Sequence, residues 1–162
     1  MLPFDQLYQE VILEHAAAKH GRGDLDSMQA TSHQTNPTCG DEVTLGVVLD
    51  GDVLQSLSWD GQGCSISQAS LSMMTDLVVG KHCQQIEDLW SKFSQMMHSR
   101  GKEIPDDILD ALEDAASLQG TSQFPNRVKC ALLGWMALRD AIALASHSEG
   151  KSASGKATAP HC

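Results

Sequence analysis

The sequence has no apolar run approaching the ~18 residues that a membrane-spanning helix requires, so a bilayer-crossing segment is not expected. It is also short of positive charge. Lys and Arg together number 11 against 21 Asp and Glu, a net charge of −10, and so acidic a surface repels nucleic-acid phosphate and anionic lipid. Neither nucleic acid nor a membrane is expected as a partner. The first ten residues carry Asp5 and Glu10 but no basic residue ahead of an apolar stretch, which does not read as a secretory leader. The expectation is a cytoplasmic protein. Internal repeats are absent, as is regular alternation of strand and helix patterns, and no CxxC pair of the zinc-finger kind occurs.

What remains is 162 residues with 41% hydrophobic and 20% charged composition, one domain's worth and enough to bury a core. Behind Pro3, the residues Phe4, Leu7, Tyr8, Val11, Ile12 and His15 recur at helical spacing and stop at Gly21 and Gly23. This first helix is expected to lie on the sheet that follows. Val43–Leu49 and Val53–Trp59 flank a Gly51-Asp52 turn signal and read as a β-hairpin, with a third, polar strand over Met28–Gln34. A helix opening near Cys64 after Gly61-Gln62-Gly63 shows one apolar face (Ile66, Ala69, Met73, Leu77, Val78) and ends at Gly80. The stripe Ile86, Leu89, Trp90, Phe93, Met97 marks the next helix, and Pro105-Asp106-Asp107 opens another. Gly120–Pro125 is predicted to be a loop, Asn126–Ser146 a final helix, and residues beyond Gly150 a disordered tail. The expected architecture is α+β, a small antiparallel sheet of about three strands with helices packed on it, as one domain over residues 1–148 with a tail over 149–162.

The chain has five cysteines, and in a reducing compartment thiols serve more often as ligands or nucleophiles than in disulfides. Helical phase puts Cys83 on the buried stripe with Trp90 and Phe93, whereas Cys130 lies about 200° around its helix from Val128, off the core face. Cys64 points away from Ile66 at a helix start, where the helix N-terminus favours a thiolate. Cys39 sits in the Asn36-Pro37-Thr38-Cys39-Gly40-Asp41 turn with a carboxylate two residues on. Cys162, in the tail, has no framework to orient it. Cys39, Cys64, Cys130 and Asp41 supply the four donors of a tetrahedral zinc site, although thiolates with a non-thiolate ligand also hold iron–sulfur clusters, so donor type alone does not choose the metal. The sequence separations, 25 residues from Cys39 to Cys64 and 66 from Cys64 to Cys130, carry little information by themselves. Among the histidines, His15 is expected to pack in the core, His82, His98, His147 and His161 to lie on the surface, and His33 is the one near Cys39 in sequence.

Three segments in order, Asn36-Pro-Thr-Cys-Gly-Asp41, Gly61-Gln-Gly-Cys-Ser-Ile-Ser-Gln-Ala-Ser70 and Arg127-Val-Lys-Cys-Ala-Leu-Leu133, resemble the cysteine motifs of the IscU/NifU-type family. Within it the chain is similar to the SufU branch: a long insertion separates the second and third motifs, and Lys129 stands where IscU scaffolds usually carry His. Phe124-Pro125-Asn126-Arg127-Val128 replaces the chaperone-recognised LPPVK-like stretch of those scaffolds. The resemblance implies a zinc-dependent sulfur acceptor for a pyridoxal-phosphate cysteine desulfurase of the SufS type, feeding iron–sulfur cluster assembly and downstream scaffold proteins. Carried over by motif, Cys39 takes the persulfide, Cys39, Asp41, Cys64 and Cys130 hold zinc, and Arg127 is auxiliary. The resemblance further implies that a desulfurase histidine replaces the acceptor cysteine on zinc during docking. The alternative within the same family is a scaffold on which a [2Fe–2S] cluster is assembled.

Overall fold

A computed structural model describes residues 3–152. Helix α1 (Pro3–Ala18) precedes a three-stranded antiparallel sheet, β1 (Ala30–Asn36), β2 (Asp41–Asp50) and β3 (Val53–Gln62), in spatial order β1-β2-β3. Helices α2 (Ser65–Val78), α3 (Cys83–Met97) and α4 (Asp106–Leu112), a 3₁₀ segment (Glu113–Gln123) and helix α5 (Pro125–Ser152) follow. The α+β architecture expected from the sequence is the one found.

The alternation of β2 sets the inner face of the sheet. Val43, Leu45 and Val47 are fully buried, and the same odd-numbered register carries Asp41 inward at the strand's first residue. Helix α5 covers β1 and β2, and α2 packs against α5, so closely that a Cβ at Gly134 would strike the side chain of Leu71. Trp135 of α5 stacks on Phe93 of α3 with ring centroids 5.2 Å apart, closing the core at the far end.

Five features differ from the sequence reading. The polar strand runs over Ala30–Asn36 rather than Met28–Gln34; it is an edge strand, so only every fourth residue or so needs burying and the apolar signal is faint. Helix α1 packs chiefly on α2 and the 3₁₀ segment rather than on the sheet, and its Leu7, expected inside, is exposed. Helix α2 is enclosed on nearly every side, not on one face: Ser67, Ser70 and Thr75 donate to the carbonyls of Cys64, Ala131 and Leu71, and Ser72 bonds to His15 and His20. The Gly120–Pro125 loop is instead the end of the 3₁₀ segment, in which Thr121 and Ser122 are buried, followed at once by Pro125 opening α5. That last helix continues to Ser152, past its expected end at Ser146; the remainder of the expected tail, including Cys162 and His161, lies outside the described residues.

Candidate metal centre

Three pieces of backbone converge at one end of the sheet. The β1–β2 connection, residues 37–40, presents Cys39 at its tip: the Cys39 N–H donates to the Asn36 carbonyl at 3.2 Å, and Gly40 takes the left-handed conformation (φ +71°) that returns the chain to β2. The β3–α2 junction presents Cys64 as the N-cap residue of α2. The second turn of α5 presents Cys130, which is buried yet stands apart from the hydrophobic cluster, in keeping with its helical phase.

Asp41 is the hub. It is 2% exposed, and one oxygen, Oδ1, accepts the Cys64 N–H at 2.9 Å, holding the start of α2 by a carboxylate placed where the helix dipole favours it. Its other oxygen, Oδ2, accepts from the Cys39 thiol at 3.1 Å and lies 4.0 Å from the Cys64 sulfur. Cys39 Sγ and Cys130 Sγ are 3.0 Å apart. Donor atoms of Cys39, Asp41 and Cys130 all fall within 4.8 Å of one another, with Cys64 reaching the group through Asp41. A tetrahedron of bonds of about 2.0–2.3 Å has edges of roughly 3.3–3.8 Å, and the separations seen here bracket that range. Two or three soft sulfurs with one carboxylate suit zinc or iron and are a poor match for magnesium or calcium.

Without a cation, the electrostatics of the site favour protonated thiols. Burial pushes the Cys130 thiol far above its ordinary pKa, and hydrogen bonds with Cys39, Asp41 and Cys64 push it further. Cys39 is raised as well, first by desolvation and then by Asp41, with its bond to Cys130 opposing. Although Cys39 as a residue is exposed, its sulfur is turned onto two buried side chains, which is where the desolvation arises. A cation among these donors reverses the preference by stabilising the thiolates.

Other residues build the pocket without having been legible as site residues. Asn36 donates its side-chain N–H to Cys39 Sγ at 2.9 Å, and Cys130 Sγ lies 3.4 Å from the Asn126 carbonyl. Gly63 admits no side chain, because a Cβ there would overlap Asp41 Oδ1 and Ser67 Oγ. His33 does not join the site: strand alternation turns it to the outer face, where it meets Thr44 at 2.8 Å and Glu42 at 3.8 Å. Arg127 lies on the exposed first turn of α5, and its guanidinium makes no hydrogen bond or ion pair among the described residues. Cys83 is buried on the core face of α3, as its phase requires.

The model of the NifU-like N-terminal domain matches residues 7–131. This chain belongs to that family. The match takes in Cys39, Asp41, Cys64 and Cys130, the four converging donors described above. Over 139 residues the chain is 43% identical to a zinc-dependent sulfurtransferase SufU of Bacillus subtilis, covering 86% of this chain and 91% of that protein. It is 39% identical over 145 residues to an iron–sulfur cluster assembly scaffold protein IscU of Streptococcus pyogenes, covering 90% and 88%. The N-terminal domain of a NifU-like protein from Brucella abortus superimposes with a TM-score of 0.77 at 22% identity, over 89% of this chain and 97% of that one, a likeness of fold. The family is that of IscU/NifU-type iron–sulfur cluster assembly proteins, and its members near this chain carry two different roles, sulfur transfer and scaffolding. Among the described residues no helix is long and apolar enough to cross a membrane.

Proposed function

We propose that the chain is a zinc-dependent sulfur acceptor, taking persulfide sulfur at Cys39 from a SufS-type, pyridoxal-phosphate-dependent cysteine desulfurase in the cytoplasm and passing it towards iron–sulfur scaffold proteins. The observation that carries this reading is an asymmetry within the donor set. Asp41 and Cys130 are buried on a strand and a helix, and Cys64 is half-buried at a helix cap, whereas Cys39 is exposed at the tip of a four-residue connection. A reactant arriving from solvent meets Cys39 first, and Cys39 is the donor whose backbone can move with least disturbance to the fold. The high identity to a protein named as a zinc-dependent sulfurtransferase supports the same assignment.

Cys39, Asp41, Cys64 and Cys130 would hold the zinc. When bound, zinc supplies a redox-inert positive charge that keeps thiols ionised and shielded until needed. The transfer itself is a displacement between sulfurs. The Cys39 thiolate attacks the outer sulfur of the desulfurase persulfide, the S–S bond of that persulfide breaks, and the desulfurase cysteine leaves as its thiolate with the electron pair; Cys39 now carries the persulfide. Asn36, donating to Cys39 Sγ, stabilises the negative charge and fixes the direction of attack. Asp41 holds the β1–β2 tip against the start of α2 through Cys64 N–H, keeping the acceptor loop in register with the pocket. Arg127, exposed on the first turn of α5 three residues before Cys130, would meet an anionic thiolate or Asp41 when Cys39 swings outward.

The second reading, a scaffold assembling a [2Fe–2S] cluster on the same donors, is favoured by the identity to a protein named as an IscU scaffold. Metal and acid-labile sulfide analysis of protein purified without oxygen separates the two. Near one zinc per chain with neither sulfide nor colour is the result expected; iron with matching sulfide and a visible band would overturn the sulfur-acceptor reading in favour of the scaffold.

A further inference from the structure

A second group of metal-type donors lies away from the cysteines, where the end of α1 meets α2. His15, in the last turn of α1, is buried; His20 sits in the turn that follows; Asp76 is on α2. One donor atom from each falls within 4.8 Å of the other two. The His15 and His20 rings meet edge to face with centroids 5.3 Å apart, and His20 Nδ1 lies 2.8 Å from Asp76 Oδ2.

The surroundings hold these side chains in place. The His20 backbone is pinned on both sides, its N–H donating to Ser72 Oγ at 3.0 Å and its carbonyl accepting from Trp59 Nε1 at 2.8 Å. Ser72 Oγ also lies 2.8 Å from His15 Nδ1, and His15 Nε2 lies 2.9 Å from Asp114 Oδ2. The Asp114 carboxylate can only accept, which assigns the His15 proton to Nε2 facing it; Ser72 Oγ, accepting the His20 N–H, can give its own proton to the lone pair on His15 Nδ1. A carboxylate on the far nitrogen of an imidazole is the arrangement that orients histidine ligands of metal ions. The side chains of His20 and Asp76 are about half exposed, at 49% and 51%, which gives a route in from solvent.

We propose that His15, His20 and Asp76 form a second cation site, taking a late first-row divalent ion such as zinc independently of the cysteines. Two imidazoles and a carboxylate match that class by ligand type and leave a fourth position for water. Occupancy ties the end of α1 to α2 and, through Asp114, to the 3₁₀ segment, so the ion acts as a staple of the N-terminal helix. Binding replaces the hydrogen bonds that His15 Nδ1 makes with Ser72 and His20 Nδ1 makes with Asp76.

Cobalt(II) titration of the full chain, followed by absorption, tests this. The native chain should take up cobalt in two phases, one with a sulfur-to-metal charge-transfer band from the cysteines and one with ligand-field bands alone. Asp76→Asn and His20→Gln should weaken only the second phase, by more than about tenfold. A single phase, or a second phase unchanged in both variants, overturns the site. Loss of the charge-transfer phase with the second phase retained and sensitive to Asp76→Asn would instead contradict the thiolate centre and leave this site standing. A variant-free check uses the native chain: zinc added beyond the first equivalent should shift the imidazole signals of His15 and His20 and not those of His82 and His98. Unmoved His15 and His20 signals overturn the proposal.

Discussion

The carboxylate of Asp41 accepts the backbone N–H of Cys64 at 2.9 Å, so one buried side chain joins the β1–β2 connection to the start of α2. The same carboxylate faces Cys39, which makes Asp41 both a cap and a candidate ligand. Removing it should therefore be felt twice. Asp41→Ala is expected to lower the stability of the metal-free chain by about 1–2 kcal/mol, as for loss of a helix cap, and to weaken zinc retention. Asp41→Asn keeps an oxygen for the cap and loses the charge, so stability should hold while zinc affinity still falls. Denaturant unfolding and chelator competition read the two effects; zinc affinity equal to native in both variants would remove Asp41 from the ligand set.

Gly63→Ala probes the same carboxylate from the other side. Its Cβ would overlap Asp41 Oδ1 and Ser67 Oγ, one a buried group and the other already committed to the Cys64 carbonyl, so neither can give way freely. The expected cost is about 1–3 kcal/mol, the range for overpacking a filled site, together with weaker zinc binding. Thermal unfolding with and without zinc checks it.

The site was legible in the sequence to the extent that three ordered cysteine segments are a specific pattern. Cys39, Asp41, Cys64 and Cys130 come together at one end of the sheet, and the hairpin, the buried stripe of α3 and the phase of Cys130 follow from local periodicity. What periodicity does not carry is nonlocal. The serines of α2 look like a solvated face until α1, α5 and the 3₁₀ segment are seen to surround that helix and supply their partners. Strand β1 has no apolar alternation to fix its ends because it is an edge, and the pairing with β2 sets them instead. His33 stands near Cys39 in sequence yet faces outward, and Asn36, which does reach Cys39, has no signature beyond starting a turn. His20 gains its neighbours only through the fold, from residues over fifty positions away.

Proton release should accompany zinc binding. Both Cys39 and Cys130 have pKa values raised by burial in the metal-free chain, so at neutral pH they enter the complex by losing protons, and affinity should climb with pH. The stability of the metal-free chain runs in the opposite sense. A thiol whose pKa is raised in the folded state contributes stability that is intact below the unfolded value, near pH 8.5–9, and is lost as pH rises above it. The metal-free chain should therefore weaken on the alkaline side while the zinc-loaded chain does not. Unfolding midpoints from pH 7 to 10, with and without zinc, check the sign, and buffer-dependent calorimetry counts the protons.

Substitution at Cys39 should separate transfer from folding, because that residue is exposed on a loop. Cys39→Ala is expected to fold with native secondary structure and to lose its acceleration of the desulfurase, and Arg127→Ala to retain zinc while accelerating the desulfurase less. A structural zinc site makes the reverse prediction, in which Cys39→Ala affects stability and leaves desulfurase turnover at the native level.

The most direct measurement is the mass of the zinc-loaded chain after incubation with a SufS-type desulfurase and cysteine, with the modified peptide mapped under non-reducing conditions. The account predicts a gain of one sulfur atom located on Cys39, removed by a thiol reductant and missing in Cys39→Ala. An unmodified chain, or sulfur found on Cys64 or Cys130 with Cys39 free, would contradict it.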